Sequence, residues 1–283
     1  MKILITGVNG QVGSALKKTL YENELISLSR ADCDFTNIEE IRKILDDYLP
    51  DLIINPAAYT GVDQAEDESE LAFKINSDAP RVIAERAKEL NIPLIHFSTD
   101  YVFDGNNTHS YSESEVTKPL GIYGKSKLAG EEKIQEIGGK FYIFRTSWVY
   151  SNIGRNFFLT MKQLCSNSNI IKVVNDQIGV PTSASFIANQ IKKIIPHLSS
   201  NNTGVYHLVP DNFCSWFDFA KHIIKNIDPH YDMKKLIPIS SNDYPAKVKR
   251  PQRSVLNNNK VKKTFMLDFA SWDEYFKRFI YDT

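Results

Sequence analysis

"KILITGVNGQVGSAL", residues 2–16, runs from a short apolar stretch through a cluster of glycines into the start of an amphipathic helix. Gly7, Gly10 and Gly13 follow the spacing GxxGxxG rather than the commoner GxGxxG. A turn this tight between strand and helix needs residues without Cβ, so that a pyrophosphate can approach the backbone and the amides of the helix N-terminus. The same glycines would also serve a plain strand-to-helix turn. Their place at the head of a long strand–helix alternation favours a dinucleotide site, for which Gly7, Asn9, Gly10, Gln11, Val12 and Gly13 are the expected contacts.

Downstream of the turn, apolar runs and amphipathic stretches alternate: "DLIINPAAY" then "ESELAFKINSDAPRVIAERAKEL", "PLIHFS" then "KSKLAGEEKIQEI", and finally "FYIFRTSWVY". That alternation predicts an α/β fold, a doubly wound parallel sheet of the Rossmann type with helices on both faces. Ligands in such sheets bind at the carboxyl ends of the strands. Residues 1–150 are expected to form the NAD(P)-binding domain, with elements from about 170–208 returning to it. Residues about 151–169 and 209–283 are expected to form a smaller, mixed C-terminal substrate-binding domain.

The second strand should end near "LISLSR", where an acidic residue would bind the ribose hydroxyls of NAD. Ser29 and Arg30 stand there instead. A hydroxyl and a cation suit a 2′-phosphate, so NADPH is the expected cofactor, with NADH as the alternative. Asp34 is placed to approach the adenine. Arg30 could equally be a solvated surface charge.

With 283 residues the chain can bury one large core or two moderate ones. Lys+Arg and Asp+Glu are both 34, which argues against nucleic acid as a partner. Cys33, Cys165 and Cys214 are scattered, with no CxxC pair, so neither a disulfide framework nor a metal site is expected. "MKILITG" is too short an apolar run for a signal peptide, and no stretch has the length of a membrane span. A cytoplasmic protein that does not bind membrane is the expectation.

"GIYGKSKLAG", residues 121–130, contains Gly124-Lys125-Ser126, which resembles the end of a phosphate loop. The glycine such a loop needs five residues earlier is Pro119, which has no amide to donate, and the preceding segment is polar loop rather than buried strand. The other reading pairs Tyr123 with Lys127, placed on one helix face by their i,i+4 spacing. A tyrosine is a poor acid–base catalyst at neutral pH until a nearby ammonium stabilises its phenolate. "HFSTDYVFDG", residues 96–105, places Ser98, Thr99 and Asp100 at the end of the fourth strand, and Thr99 could donate a second hydrogen bond to the same substrate oxygen. Together these residues suit hydride transfer to a carbonyl. His96, between Ile95 and Phe97, reads as a packed strand residue; Asp63 and Glu66 read as helix caps or ion-pair partners.

The glycine turn, "NPAAYTGVDQAE" (55–66), "STDYVFDG" (98–105), the Tyr123/Lys127 pair, "RTSWVY" (145–150), "NDQIGVPT" (175–182) and "RPQRSVL" (250–256) together resemble the extended short-chain dehydrogenase/reductase family. The resemblance covers nearly the whole chain in one order. It implies catalytic roles for Thr99, Tyr123 and Lys127, with Ser98, Tyr123 and Lys127 also beside the cofactor. It implies a wall of Ala57, Ala58 and Tyr59 against the nicotinamide and adenosine. Trp148 would pack on a sugar ring, Tyr101 and Asn156 would line the sugar pocket, and Arg250 would sit near a nucleotide diphosphate. Read from the strand alone, Trp148 could as well be core.

The activity so implied is NADPH-dependent reduction of the C4 ketone of a dTDP-linked 4-keto-6-deoxy-L-mannose to the L-rhamnose donor, in cell-surface polysaccharide biosynthesis. A 6-deoxy-L-talose product, and a non-catalytic regulatory subunit, are the alternatives. Dehydratases of this family carry Asp-Glu where Asp100-Tyr101 stands here, which counts against dehydration. Some members bind magnesium at a dimer contact through an acidic residue just after the third glycine. Ala15 occupies that place, so no metal and a monomer or weak homodimer are expected. Pro56 after Asn55, and the Asn257-Asn258-Asn259 run, also depart from the usual pattern.

Overall fold

The computed structural model describes residues 1–167 and 170–281; residues 168–169 and 282–283, at the ends of the two segments expected on the substrate side, lie outside the described residues. In the first half, β1 (Lys2–Thr6), α1 (Gln11–Thr19), β2 (Glu24–Leu28), α2 (Ile38–Tyr48), β3 (Leu52–Asn55), α3 (Ser69–Phe73), α4 (Ala79–Glu89), β4 (Leu94–Thr99), α5 (Ile122–Ile137) and β5 (Phe141–Thr146) follow the expected alternation. Then come β6 (Val149–Tyr150), α6 (Phe157–Asn167), β7 (Ile171–Val174), β8 (Ile178–Gly179), β9 (Thr182–Ser183), α7 (Ala184–Ile194) and β10 (Gly204–His207). Last are β11 (Cys214–Ser215), α8 (Trp216–Ile227), β12 (Leu236–Ile239), α9 (Asn259–Phe265) and α10 (Trp272–Tyr281).

Six parallel strands form the central sheet in the order β10-β5-β4-β3-β1-β2. The winding reverses at β1: α1 leads outward to β2, and α2 returns the chain past β1 to β3. Such a reversal leaves a crevice where the loops after β1 and β3 part in opposite directions.

Successive strand residues face opposite sides of a sheet. Ile3, Ile5, Ile95, Phe97 and Phe144 pack on one side with Leu16 of α1, Phe186 and Ile191 of α7, and Phe265 of α9. Leu4, Ile53, Leu94 and Ile143 pack on the other with Ile41 and Leu45 of α2, Val82 and Ile83 of α4, and Ile134 of α5. The chain is thus the doubly wound α/β sheet its alternation predicts. Each such side chain buried contributes roughly 1.5–3 kcal/mol, so both faces of the sheet hold the strand ends rigidly. A third core, including Tyr150, Phe158, Phe219, Phe276 and Phe279, lies among α6, α8 and α10. Within the segment expected to return to the sheet, α7 and β10 pack on it, whereas β7 pairs with β12 in the smaller layer.

One amphipathic stretch divides. Between α3 and α4 the chain makes a single π-helical turn, Lys74–Asp78, that points Asn76 and Ser77 into the interior. Turns of this kind insert one extra residue and re-aim side chains, often near functional sites.

Candidate active site

A cleft of about 840 Å³ opens at the carboxyl ends of the central strands, reaching from the glycine turn past Thr99, Tyr123 and Lys127 to Trp148. At its cofactor end Gly7 has φ +57, and a Cβ there would come within 2.9 Å of Ala57 Cα. A Cβ on Gly13 would fall 2.2 Å from the carbonyl oxygen of Gly7. Both positions therefore require glycine, which lets β1, β3 and α1 approach closely. The first turn of α1 carries no acidic residue and its N-cap, Gly10, has no side chain to occupy the free amides. The positive end of the helix is left open to an anion.

Asn9, Gln11, Val12, Ser29, Arg30 and Asp34 also line the cleft. The Ser29 hydroxyl donates to Asp32 Oδ2 at 2.6 Å, and its amide donates to the same oxygen at 2.8 Å. These bonds hold the Asp32 carboxyl below its ordinary range. Asp32, an acid just after β2 that sequence reading did not single out, does not itself line the cleft; its carboxylate shapes the turn that presents Ser29. Asp34 is itself held low, chiefly by the Thr36 amide.

Ala57, Ala58 and Tyr59 form the opposite wall. Asn76, from the π turn, accepts from the Tyr59 amide at 2.8 Å, and its Nδ2 donates to the Tyr59 carbonyl at 3.0 Å and to Ser126 Oγ at 3.0 Å. One buried carboxamide thereby joins the cofactor wall to α5. An asparagine inside an amphipathic helix pattern gives no sign of that role; only the extra residue of the π turn brings it inward.

Thr99 ends β4, 6% exposed; Lys127, one turn beyond Tyr123 on α5, is 2% exposed. Burial pushes the Tyr123 phenol up to about 12, with the Thr99 hydrogen bond pulling it down and Asp100 pushing it up. Burial brings the Lys127 ammonium down to about 8, opposed by Glu131. Glu131 is occupied by Arg145, whose Nη2 donates to Glu131 Oε2 at 2.6 Å in a fully buried pair. The Thr99 hydroxyl donates to Asp100 Oδ1 at 3.1 Å and accepts from the Tyr101 amide at 3.2 Å. Asp100, 1% exposed, is driven up to about 7 by burial despite hydrogen bonds from Ser254 and Thr99.

On the side expected to receive the sugar, the Tyr101 ring meets the Tyr123 ring edge-on at 5.6 Å. Trp148 sits at φ +45 and stacks on Trp216 with ring centroids 3.5 Å apart and planes 8° from parallel. Trp216, at the head of α8, also lines the cleft. Sequence reading missed it because an aromatic just after a serine cap reads as core. Two expected residues do not line the cleft. Asn156 accepts from the Leu159 amide, like an N-cap, and donates to Gln11 Oε1 at 2.8 Å. Arg250 donates to Asp63 Oδ2 at 3.3 Å.

Ser98 Oγ and Thr146 Oγ1 are buried at the cleft without a protein partner. Buried hydroxyls normally find a partner, and a ligand in the cleft would supply one.

A family model described as the RmlD substrate binding domain matches residues 1–283. The dTDP-4-dehydrorhamnose reductase of Sinorhizobium fredii is 37% identical over 287 residues, spanning 99% of this chain and 97% of that protein. A crystal structure of dTDP-4-dehydrorhamnose reductase from Bacillus anthracis, in complex with NADP, superposes with a TM-score of 0.94 at 36% identity, covering 100% of this chain and 99% of that one. The dTDP-glucose 4,6-dehydratase of Streptomyces venezuelae, at 14% identity and a TM-score of 0.80, shares the fold.

Proposed function

The chain belongs to the RmlD substrate binding domain family, and on that premise we propose that it reduces the C4 ketone of dTDP-4-dehydro-L-rhamnose with NADPH, giving dTDP-L-rhamnose. It is an NAD(P)H-dependent oxidoreductase of nucleotide-sugar biosynthesis, as its relatives' names and the NADP-bound relative support. The single observation that carries the catalytic assignment is the meeting of Thr99, Tyr123 and buried Lys127 on the same cleft as the glycine turn.

The residues present fit a dinucleotide. Gly13 leaves no room for a Cβ, the head of α1 is free of acids, and the Ser98 hydroxyl lacks a protein partner. Gly7 to Gly13 would hold the pyrophosphate, Ser29 and Arg30 the 2′-phosphate, and Ala57 to Tyr59 the flat faces of the cofactor. When bound, the reduced nicotinamide supplies the hydride.

The chain's own residues manage the proton. With its acidity weakened to about 12, Tyr123 is fully protonated at neutral pH. Its hydroxyl remains a much stronger acid than the alcohol being formed, so transfer of the Oη proton to the C4 oxygen is downhill. The Lys127 ammonium stabilises the phenolate left behind. Thr99 turns its hydroxyl from Asp100 to the same oxygen, sharing the developing charge. Trp148 and Tyr101 would border the sugar, Asn156 would act through Gln11, and Arg250 would exchange Asp63 for the diphosphate.

The test is loss of reduced-nicotinamide absorbance with NADPH and NADH, on dTDP-4-dehydro-L-rhamnose generated in place by an epimerase, with the product identified by NMR. Rapid oxidation to dTDP-L-rhamnose is expected. A talose-configured product would overturn the stereochemical assignment, and no oxidation despite cofactor binding would overturn the substrate.

A further inference from the structure

Behind the catalytic lysine lies a line of buried polar groups that the reaction as described does not use. Lys127 Nζ is 3.4 Å from Nε2 of His96, a fully buried residue of β4. The other ring nitrogen, Nδ1, is 3.1 Å from Nδ2 of Asn55, its register partner at the end of β3. Asn55 Oδ1 is in turn 2.6 Å from Thr6 Oγ1 at the end of β1. Three adjacent strands thus carry one polar line from the glycine turn to the lysine.

Burial and the nearby ammonium hold His96 well below its ordinary range, so the ring is neutral, with one N–H and one lone pair. Were Nδ1 the acceptor, the ring proton would sit on Nε2 and face the ammonium, setting two donors against each other. A charged Lys127 therefore selects Nε2 as the acceptor and places the proton on Nδ1. That N–H needs an oxygen. The structure sets Asn55 Nδ2 toward His96 and Oδ1 toward the Thr6 hydroxyl, but the two ends of a carboxamide are nearly isosteric and its orientation follows the network, so with the ring proton on Nδ1 the amide would turn Oδ1 to His96 and Nδ2 to Thr6.

We infer that His96 is a positioning residue: backed by Asn55 and Thr6, its Nε2 accepts one proton of the Lys127 ammonium and aims the others toward Tyr123 and the cleft. The remaining charged or titratable groups around Lys127 are Tyr123 and Glu131 on α5, Arg145 of β5 through its pair with Glu131, and Asp100 after β4. Of these, Glu131 is taken by Arg145, and the Tyr123 oxygen is the group toward which the ammonium is aimed. The effect on turnover rests on the reductase reading, but the hydrogen-bond line itself belongs to the free protein.

The first measurement is nitrogen NMR of the full chain labelled in histidine, without cofactor. His96 is expected with its proton on Nδ1 and a lone pair on Nε2; the opposite tautomer would overturn the inference. The second is the titration of labelled lysine in His96→Leu and His96→Gln. Loss of the acceptor in His96→Leu should lower the Lys127 midpoint by about one pH unit or more, and the alkaline limb of kcat should move with it. His96→Gln, with an amide oxygen in similar reach, should restore most of the shift. An unchanged Lys127 midpoint in His96→Leu sinks the assignment. Should His96→Leu not fold, Asn55→Asp gives the converse: a carboxylate on Nδ1 should raise the midpoint, and no rise would count against the line. If the lysine titrations behave as expected while the wild-type chain leaves dTDP-4-dehydro-L-rhamnose unreduced, the reaction assignment fails and the positioning role stands.

Discussion

Ser254 Oγ stands 2.5 Å from Asp100 Oδ2, so the segment after Arg250 is tied to the end of β4 beside Thr99. Because burial raises Asp100 to about 7 from its ordinary 3.8, this carboxyl stays protonated in the folded chain over a range where it ionises in the unfolded one. The unfolded state then binds fewer protons, so the contribution of Asp100 to stability falls as pH rises from about 3.8 to about 7. Asp100→Asn removes that loss. Its melting temperature relative to wild type should climb across this range, by an amount equivalent to at most about 1.4 kcal/mol per pH unit. A difference independent of pH would show that Asp100 does not titrate there.

Lys127 works in the opposite sense. Its folded value of about 8 lies below the unfolded 10.5, so the folded chain sheds the proton first and stability rises with pH between those values. Turnover needs the ammonium and should fall above pH 8, about tenfold per unit. Stability and activity should therefore diverge in this window, which paired melting and rate profiles can check; a parallel decline would contradict the assignment.

Tyr123→Phe keeps the ring that Tyr101 meets edge-on and removes only the hydroxyl. Turnover should drop by about 10²–10⁴-fold with NADPH affinity nearly unchanged. Near-normal rates would remove Tyr123 from the proton transfer.

Gly13→Ala places a methyl group 2.2 Å from the carbonyl oxygen of Gly7. The turn must open, at a cost of roughly 1–3 kcal/mol. NADPH binding by calorimetry should weaken along with the melting temperature, and intact binding would mean that the turn does not cradle the pyrophosphate.

Arg30→Ala leaves Ser29, with its bonds to Asp32, in place while removing the exposed cation beside it. The KM for NADPH should rise by about tenfold, the factor of an exchanged charge-assisted hydrogen bond, with that for NADH little changed. Equal loss for both would show that Arg30 does not read the 2′-phosphate.

The fold and the core of the site were legible because they are written in local spacing. The glycine turn after an apolar run, the alternation of strand and helix, and the four-residue step from Tyr123 to Lys127 each occupy one short stretch, where backbone sterics and helix geometry leave little choice. What spacing could not reveal is contact between distant segments. His96 reads as a packed strand residue until the sheet register sets it between Asn55 and Lys127. Asn76 turns inward only because a π turn interrupts its helix. Asn156 and Arg250 suit a sugar nucleotide by residue type, yet their side chains are engaged by Gln11 and Asp63, partners far away in the chain. The sequence by itself determined the sheet, the glycine turn and the pairing of Tyr123 with Lys127 on one helix face. The tertiary structure alone decided which buried polar groups face one another, because desolvation gives each such group a partner only where the packed strands and helices bring one within reach.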